Sequence, residues 1–174
     1  MKKIITTLLA GIILFGVSTK KVQAQNIIAG ISNAEFTGSA DEVGNKEYVK
    51  AANVTVKAVK DFEKSFKTAS NVNWYKVKDG YMVYFHQDGT KKVCGYTAKG
   101  NWIYNFVSYT EDKLPKQIWH RVKGVYYEYA ITWVNQIQTA TKMIYIVHLE
   151  GRDNYKNIRI ADDEMDEIGE IRKS

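Results

Sequence analysis

One cysteine, one proline and three histidines are all that the 174 residues contain of those types, and the scarcity removes several kinds of chemistry. The lone Cys94 cannot close an internal disulfide, so the chain depends on a packed core, which an apolar content of 45% can supply. Cys94 also lies far from the leader described below, which excludes the lipid-bearing cysteine of a lipoprotein. No serine sits in a nucleophile elbow, no glycine loop is spaced to cradle phosphate, and no helix carries the paired histidines of a zinc protease. The apolar run from Ile4 to Val17 is shorter than the roughly 20 residues that a membrane-spanning helix needs.

That short run fits another purpose. Met1-Lys2-Lys3 supplies a positive end, the run supplies an apolar centre, and Val22-Gln23-Ala24 places small residues before a cut. This is the pattern of a secretory signal peptide over 1–24, cleaved after Ala24, and it predicts a periplasmic or secreted protein with no transmembrane segment after removal. Lys2, Lys3, Lys20 and Lys21 leave with it and no acid does, so the net charge falls from +6 to +2. The basic pI of the whole chain therefore gives no ground for a nucleic-acid partner.

Residues 25–52 carry no sustained period. Gly30, Gly38 and Gly44 interrupt every candidate element, and the stretch reads as an N-terminal extension with a little strand at Asn26 to Ile31 or helix near Glu47 to Ala52. From Val54 to Ala69 the spacing of Val56, Val59, Phe62 and Phe66 predicts an amphipathic helix capped by Asn53. Residues 72 to 109 then read as four strands, cut by Asp79-Gly80, Asp88-Gly89 and Lys99-Gly100. A second helix is predicted from Asp112, with Pro115 in its first turn and Ile118, Trp119, Val122 and Val125 as its stripe. Four more strand-like runs follow, at Ala130 to Gln138, Met143 to Glu150, Tyr155 to Ile160 and Glu164 to Ile171.

A helix and four strands thus occur twice. Laying Trp74 on Trp133 brings the helices into register without a gap, and Tyr81-x-Val83-x-Phe85 then meets Tyr145-x-Val147-x-Leu149 across a small insertion. The expected fold class is α+β, with two tandem helix–antiparallel β-meander repeats at 53–110 and 111–174, helices packed on one face of the sheet. Leu114-Pro115-x-x-Ile118, Tyr145-x-Val147-x-Leu149 and the acidic turn after it resemble the PepSY-like family, and more narrowly its β-lactamase-inhibitor-like exported members. The likeness covers about 54 to 172. It implies meander units side by side, one sheet face open, and a role in binding or inhibiting other proteins. It transfers no inhibitory loop, because none matches residue by residue.

Alternation sorts the strands by face. Tyr81, Val83 and Phe85, with Tyr145, Val147 and Leu149, should meet the helices. Met82, Tyr84 and His86, with Ile144, Ile146 and His148, should lie on the other face, joined there by Trp102 and Tyr104. So apolar a face is either a binding surface or one covered by the extension or by a second copy. These eight residues are the candidate binding site. His86 and His148 read as equivalent positions, but two histidines without a third ligand make no metal site. Cys94 beside His86 or His120 lacks an orienting third group and reads as a core thiol. The acidic run from Asp162 to Glu170 lacks calcium-loop spacing and reads as the solvated side of the last hairpin. No catalytic residue, metal or cofactor is predicted. The expected function is that of an exported, non-catalytic module binding a protein or peptide by the open face or edge of its sheet. The alternatives are an inhibitor of a periplasmic or secreted hydrolase, of peptidase or β-lactamase type, and an envelope structural or self-assembly component.

Overall fold

In the computed structural model, residues 46–174 are described. The expected leader at 1–24, and the expected extension as far as residue 45, lie outside them. Ala58 and Phe62, four residues apart, are buried on the inner side of the first helix, α1 (Val56–Ser65), with Val59 and Phe66 half-buried beside them. The side chain of Asn53 does not cap this helix. Asn53 closes a 3₁₀ turn at Ala51–Asn53, and the extended, buried Val54 separates that turn from the helix. The second helix, α2 (Lys116–Val125), starts later than Asp112 for a definite reason. Pro115 disfavours helical geometry in the residue before it, so Leu114 is extended (φ −69°, ψ 129°) and drops its side chain into the core. Asp112 is left in a separate 3₁₀ turn, Glu111–Lys113.

The nine strands of the described residues join one antiparallel sheet in sequence order. They are β1 (Glu47–Val49), β2 (Ser70–Val77), β3 (Gly80–Gln87), β4 (Thr90–Thr97), β5 (Trp102–Tyr109), β6 (Ala130–Thr139), β7 (Met143–Glu150), β8 (Asn154–Ala161) and β9 (Glu164–Arg172). Two-residue turns set much of the register. Asp88 (φ 53°) and Gly89 (φ 70°) both take the positive angles of a type I′ hairpin between Gln87 and Thr90. Gly80 serves differently: it lies inside β3, where a Cβ would come within 2.0 Å of the Tyr96 carbonyl oxygen.

The expected fold class needs correction. The chain is mostly one nine-stranded sheet with two ten-residue helices, not two tandem helix–meander repeats set side by side. Six residue pairs, from Tyr104↔Thr139 to Tyr109↔Val134, carry the ladder through the expected boundary. The alignment of Trp74 on Trp133 also fails. Trp74 pairs with Val83 and is 3% exposed beneath α1, whereas Trp133 pairs with His148 and is 42% exposed. The cause is a shift in the β6–β7 ladder between Ile131 and Trp133, which turns Trp133 to the opposite side from Ile131, since side chains alternate with period two. The expectation of either a strand at Asn26 to Ile31 or a helix near Glu47 to Ala52 meets a similar outcome: the first lies outside the described residues, and Glu47–Val49 is a strand.

Two clusters of buried side chains lie between the helices and the sheet. Under α1 are Phe62, Trp74, Val83, Phe85, Cys94 and Tyr96. Near α2 are Leu114, Val122, Ile131, Val134, Val147, Leu149, Ile158 and Ile160.

Candidate functional site

The opposite side of the sheet carries the residues singled out by alternation. A row crosses six strands through consecutive partners, Tyr84↔Val93↔Phe106↔Ile137↔Ile144↔Ala161. Every member is buried, the most exposed being Tyr84 at 5%. Met82, Tyr104 and Ile146 are buried as well. None of these side chains belongs to either helix-centred cluster, and all are buried where exposure was expected. Met82 and Tyr104 flank Gly95, and the Tyr104 ring lies so close over that glycine that a Cβ would fall 2.3 Å from it. Burial raises the Tyr104 phenol well above its ordinary pKa.

Trp102 does not share a side with Tyr104. The ladder shifts between Gly95 and Tyr96, so Trp102 pairs with Tyr96 and packs against the cluster under α1. Its indole nitrogen donates to Asn105 Oδ1 at 2.9 Å. Nor are the two histidines equivalent. His86 is exposed near the start of β2, opposite Ser70, whereas His148 is half-buried in a polar network. Asn157 Oδ1 accepts from His148 Nδ1 at 2.7 Å, which leaves Nε2 to accept from Asn135 Nδ2 at 3.0 Å. The Trp133 ring stands 4.6 Å from the imidazole. Burial holds the His148 pKa below its usual value, with the Asn157 contact opposing. Asn135 is itself buried, and its Oδ1 has no hydrogen-bond partner among the described residues.

Chemistry is correspondingly restricted. Burial pushes the Cys94 thiol up to about 12, against contacts from Tyr96 and Trp102 that lower it, so at neutral pH it is a protonated core group. Tyr96 spends its hydroxyl on Asp61, donating to Oδ2 at 3.0 Å. Among the described residues no three His, Cys, Asp or Glu side chains are gathered as for a metal ion.

An accessible concavity lies elsewhere, at the first edge of the sheet. β1 pairs with β2 only from Trp74 to Lys76, so the outer edge of Ser70–Asn73 has no strand neighbour among the described residues, and all four side chains are exposed. Beside it opens a cleft of about 380 Å³, walled by Tyr48 and Val49 of β1, Val59, Phe62 and Glu63 of α1, and Val72 and Trp74 of β2, with Lys50 at its rim. Tyr48 and Val72 are 60% and 39% exposed. Asn71 (φ 52°) takes the left-handed backbone where β2 slips its register against β3, and Val72 follows it into the cleft wall. Sequence reasoning missed this corner because β1 is three residues long, too short to show alternation.

The described residues thus form a nine-stranded antiparallel meander with two short helices and an apolar corner cleft. In solved structures the same fold occurs in a DUF2874 family protein of Bacteroides uniformis, with a TM-score of 0.54 and 16% identity over 67% of this chain and 88% of that one. It occurs also in a BLIP-like protein of Bacteroides fragilis, with a TM-score of 0.56 and 13% identity over 66% and 86% of the two chains. A Bacteroides eggerthii protein named as periplasmic gives a TM-score of 0.55 at 14% identity, over 68% and 88%. The likeness is one of fold, and that fold is BLIP-like; the PepSY name finds no match. No family model matches the chain, and no curated protein matches it in sequence. Among the described residues no helix is long and apolar enough to cross a membrane.

Proposed function

We propose that the chain is an exported, non-catalytic module that binds another protein or a peptide through the β1–α1–β2 corner. One observation carries this reading: a cleft with an apolar floor of Phe62 and Trp74 opens beside four residues of exposed strand edge. Exposed apolar side chains next to unpaired backbone are what protein partners cover. The broad sheet face serves this purpose less well, since its central row is already buried. Export rests on the leader pattern at 1–24 and is supported by the periplasmic naming of one protein of the same fold.

Capture from a cell-envelope extract tests it. The mature protein should retain a partner that Val72→Asp loses and Trp133→Asp keeps, because Trp133 lies on β6, away from the cleft. Equal retention by Val72→Asp would remove the corner from the account. A narrower reading, inhibition of a periplasmic or secreted hydrolase, is favoured by the BLIP-like fold alone. It predicts that the partner so captured is a hydrolase whose turnover falls on adding wild type but not Val72→Asp.

A further inference from the structure

We propose that the edge of β2 left without a strand neighbour among the described residues receives an extended, acidic peptide segment as an added strand, one of its apolar side chains filling the cleft beneath α1. This rests on the corner being the binding surface and goes on to name what it takes. Three independent features converge on that ligand. The first is backbone: a strand edge offers N–H and C=O groups in a row, which a helix cannot satisfy because its own are already paired, whereas an extended chain can. β1 already occupies the same line of the sheet beside Trp74 to Lys76, so a peptide beside Ser70–Asn73 would continue its ladder across the bulge at Asn71, whose carbonyl already accepts from Asn73 Nδ2 at 3.0 Å.

The second feature is the cleft. Its apolar walls are Tyr48, Val49, Val59, Phe62, Val72 and Trp74, with Lys50 and Glu63 also lining it, and alternate side chains of an added strand point to one side of the sheet, so a central apolar residue of the peptide would turn into it. The third is charge. From Lys46 to Val77 seven lysines stand against three acids, and one of those acids, Asp61, is held by the Tyr96 hydroxyl. Lys50, Lys60, Lys64, Lys67 and Lys76 are all exposed. The far edge of the sheet differs. β9 carries Glu164, Asp166, Glu167 and Glu170, which pair with Arg159 and Lys156 of β8, so the cations there are already matched by the protein's own carboxylates. Two chemically different edges on one sheet give the peptide one place to go.

A fluorescein-labelled octapeptide, Asp-Glu-Val-Glu-Phe-Glu-Val-Glu, is the probe, read by anisotropy with the mature protein. Saturable binding is expected. Exchanging its acids for lysine should abolish binding, and exchanging its phenylalanine for serine should weaken it about tenfold, the order expected for one buried aromatic anchor. Raising salt from about 50 to about 500 mM should weaken it too, as screening removes the lysine field. On the protein, the exposed pair Lys50→Glu with Lys64→Glu should weaken binding at least about tenfold without disturbing the fold, and Val72→Asp should weaken it by placing a carboxylate in the cleft wall.

If the lysine peptide binds instead, and Val72→Asp abolishes it, the acidic assignment is overturned while the corner stands. If the acidic peptide binds with all variants unaffected, the site is overturned. If no peptide binds, strand addition is overturned, and the envelope capture still decides the corner. Concentration-dependent dimers that Val72→Asp abolishes would assign the edge to a second copy and overturn the peptide.

Discussion

Two tryptophans that look alike in the sequence differ by what a single shift in a strand ladder does to them. Trp74 rests beneath α1 with Phe62 at 5.5 Å and Tyr96 at 5.7 Å, ring to ring, while Trp133 stands half in solvent against His148. Trp74→Ala should therefore cost about 3–5 kcal/mol of stability, the range for emptying a buried aromatic site. Trp133→Ala should cost about 1 kcal/mol or less, as for a surface change. Urea titrations of the two variants would separate them, and equal costs would contradict the placement of the rings. Gly80→Ala should destabilise by about 1–3 kcal/mol, because the added methyl meets backbone rather than a movable side chain.

His148 makes stability depend on pH. Its folded pKa is lowered from 6.5, mainly by burial, so near and below that value the unfolded chain binds the proton more readily. The contribution is complete above the unfolded pKa and is lost as pH falls through the folded one. Wild type should lose more stability than His148→Gln between about pH 7.5 and pH 5, and identical losses would show that the ring does not titrate differently on folding.

At the scale of elements, what was legible followed from local physics. Asp88-Gly89 announced its hairpin because two positive φ angles in succession strongly favour such residues, and the observed β6 and β7 begin at the predicted Ala130 and Met143. The helix-facing set Val83, Phe85, Val147 and Leu149 was readable from alternation for the same reason. Ladder shifts were not readable, because a shifted register is a relation between two strands and leaves no mark on either. Three such shifts moved Trp102, Trp133 and Val72 away from, or into, positions that matter. β1 was hidden by its brevity, and with it the cleft. Pro115 was expected inside the first turn but precedes the helix as its N-cap, with ψ 132°, and its effect on Leu114, which delays α2, is a restriction on the preceding residue. Pro115→Ala lifts that restriction, so helical signal should rise slightly in far-ultraviolet circular dichroism. No change would mean that burial of Leu114, not the proline, sets the helix start.

For the whole molecule, a ladder that runs unbroken from β1 to β9 couples every strand to the next. Unfolding of the described part should be a single cooperative transition, with Trp74 fluorescence and far-ultraviolet circular dichroism falling together in urea. Two transitions would mean that β5 and β6 separate before the rest. The unbroken ladder also means that the sheet has just two edges. One is lined by carboxylates, and the other is only partly covered by a three-residue strand with an apolar cleft and lysines around it.

Amide hydrogen exchange of the mature protein, with and without its captured partner, tests the corner most directly. The account predicts fast exchange at the outward-facing amides of 70–73 in the free protein and new protection there on binding, confined to Glu47–Val49, α1 and β2. Protection that appears along β9 or over β6–β7, with 70–73 unchanged, would contradict it.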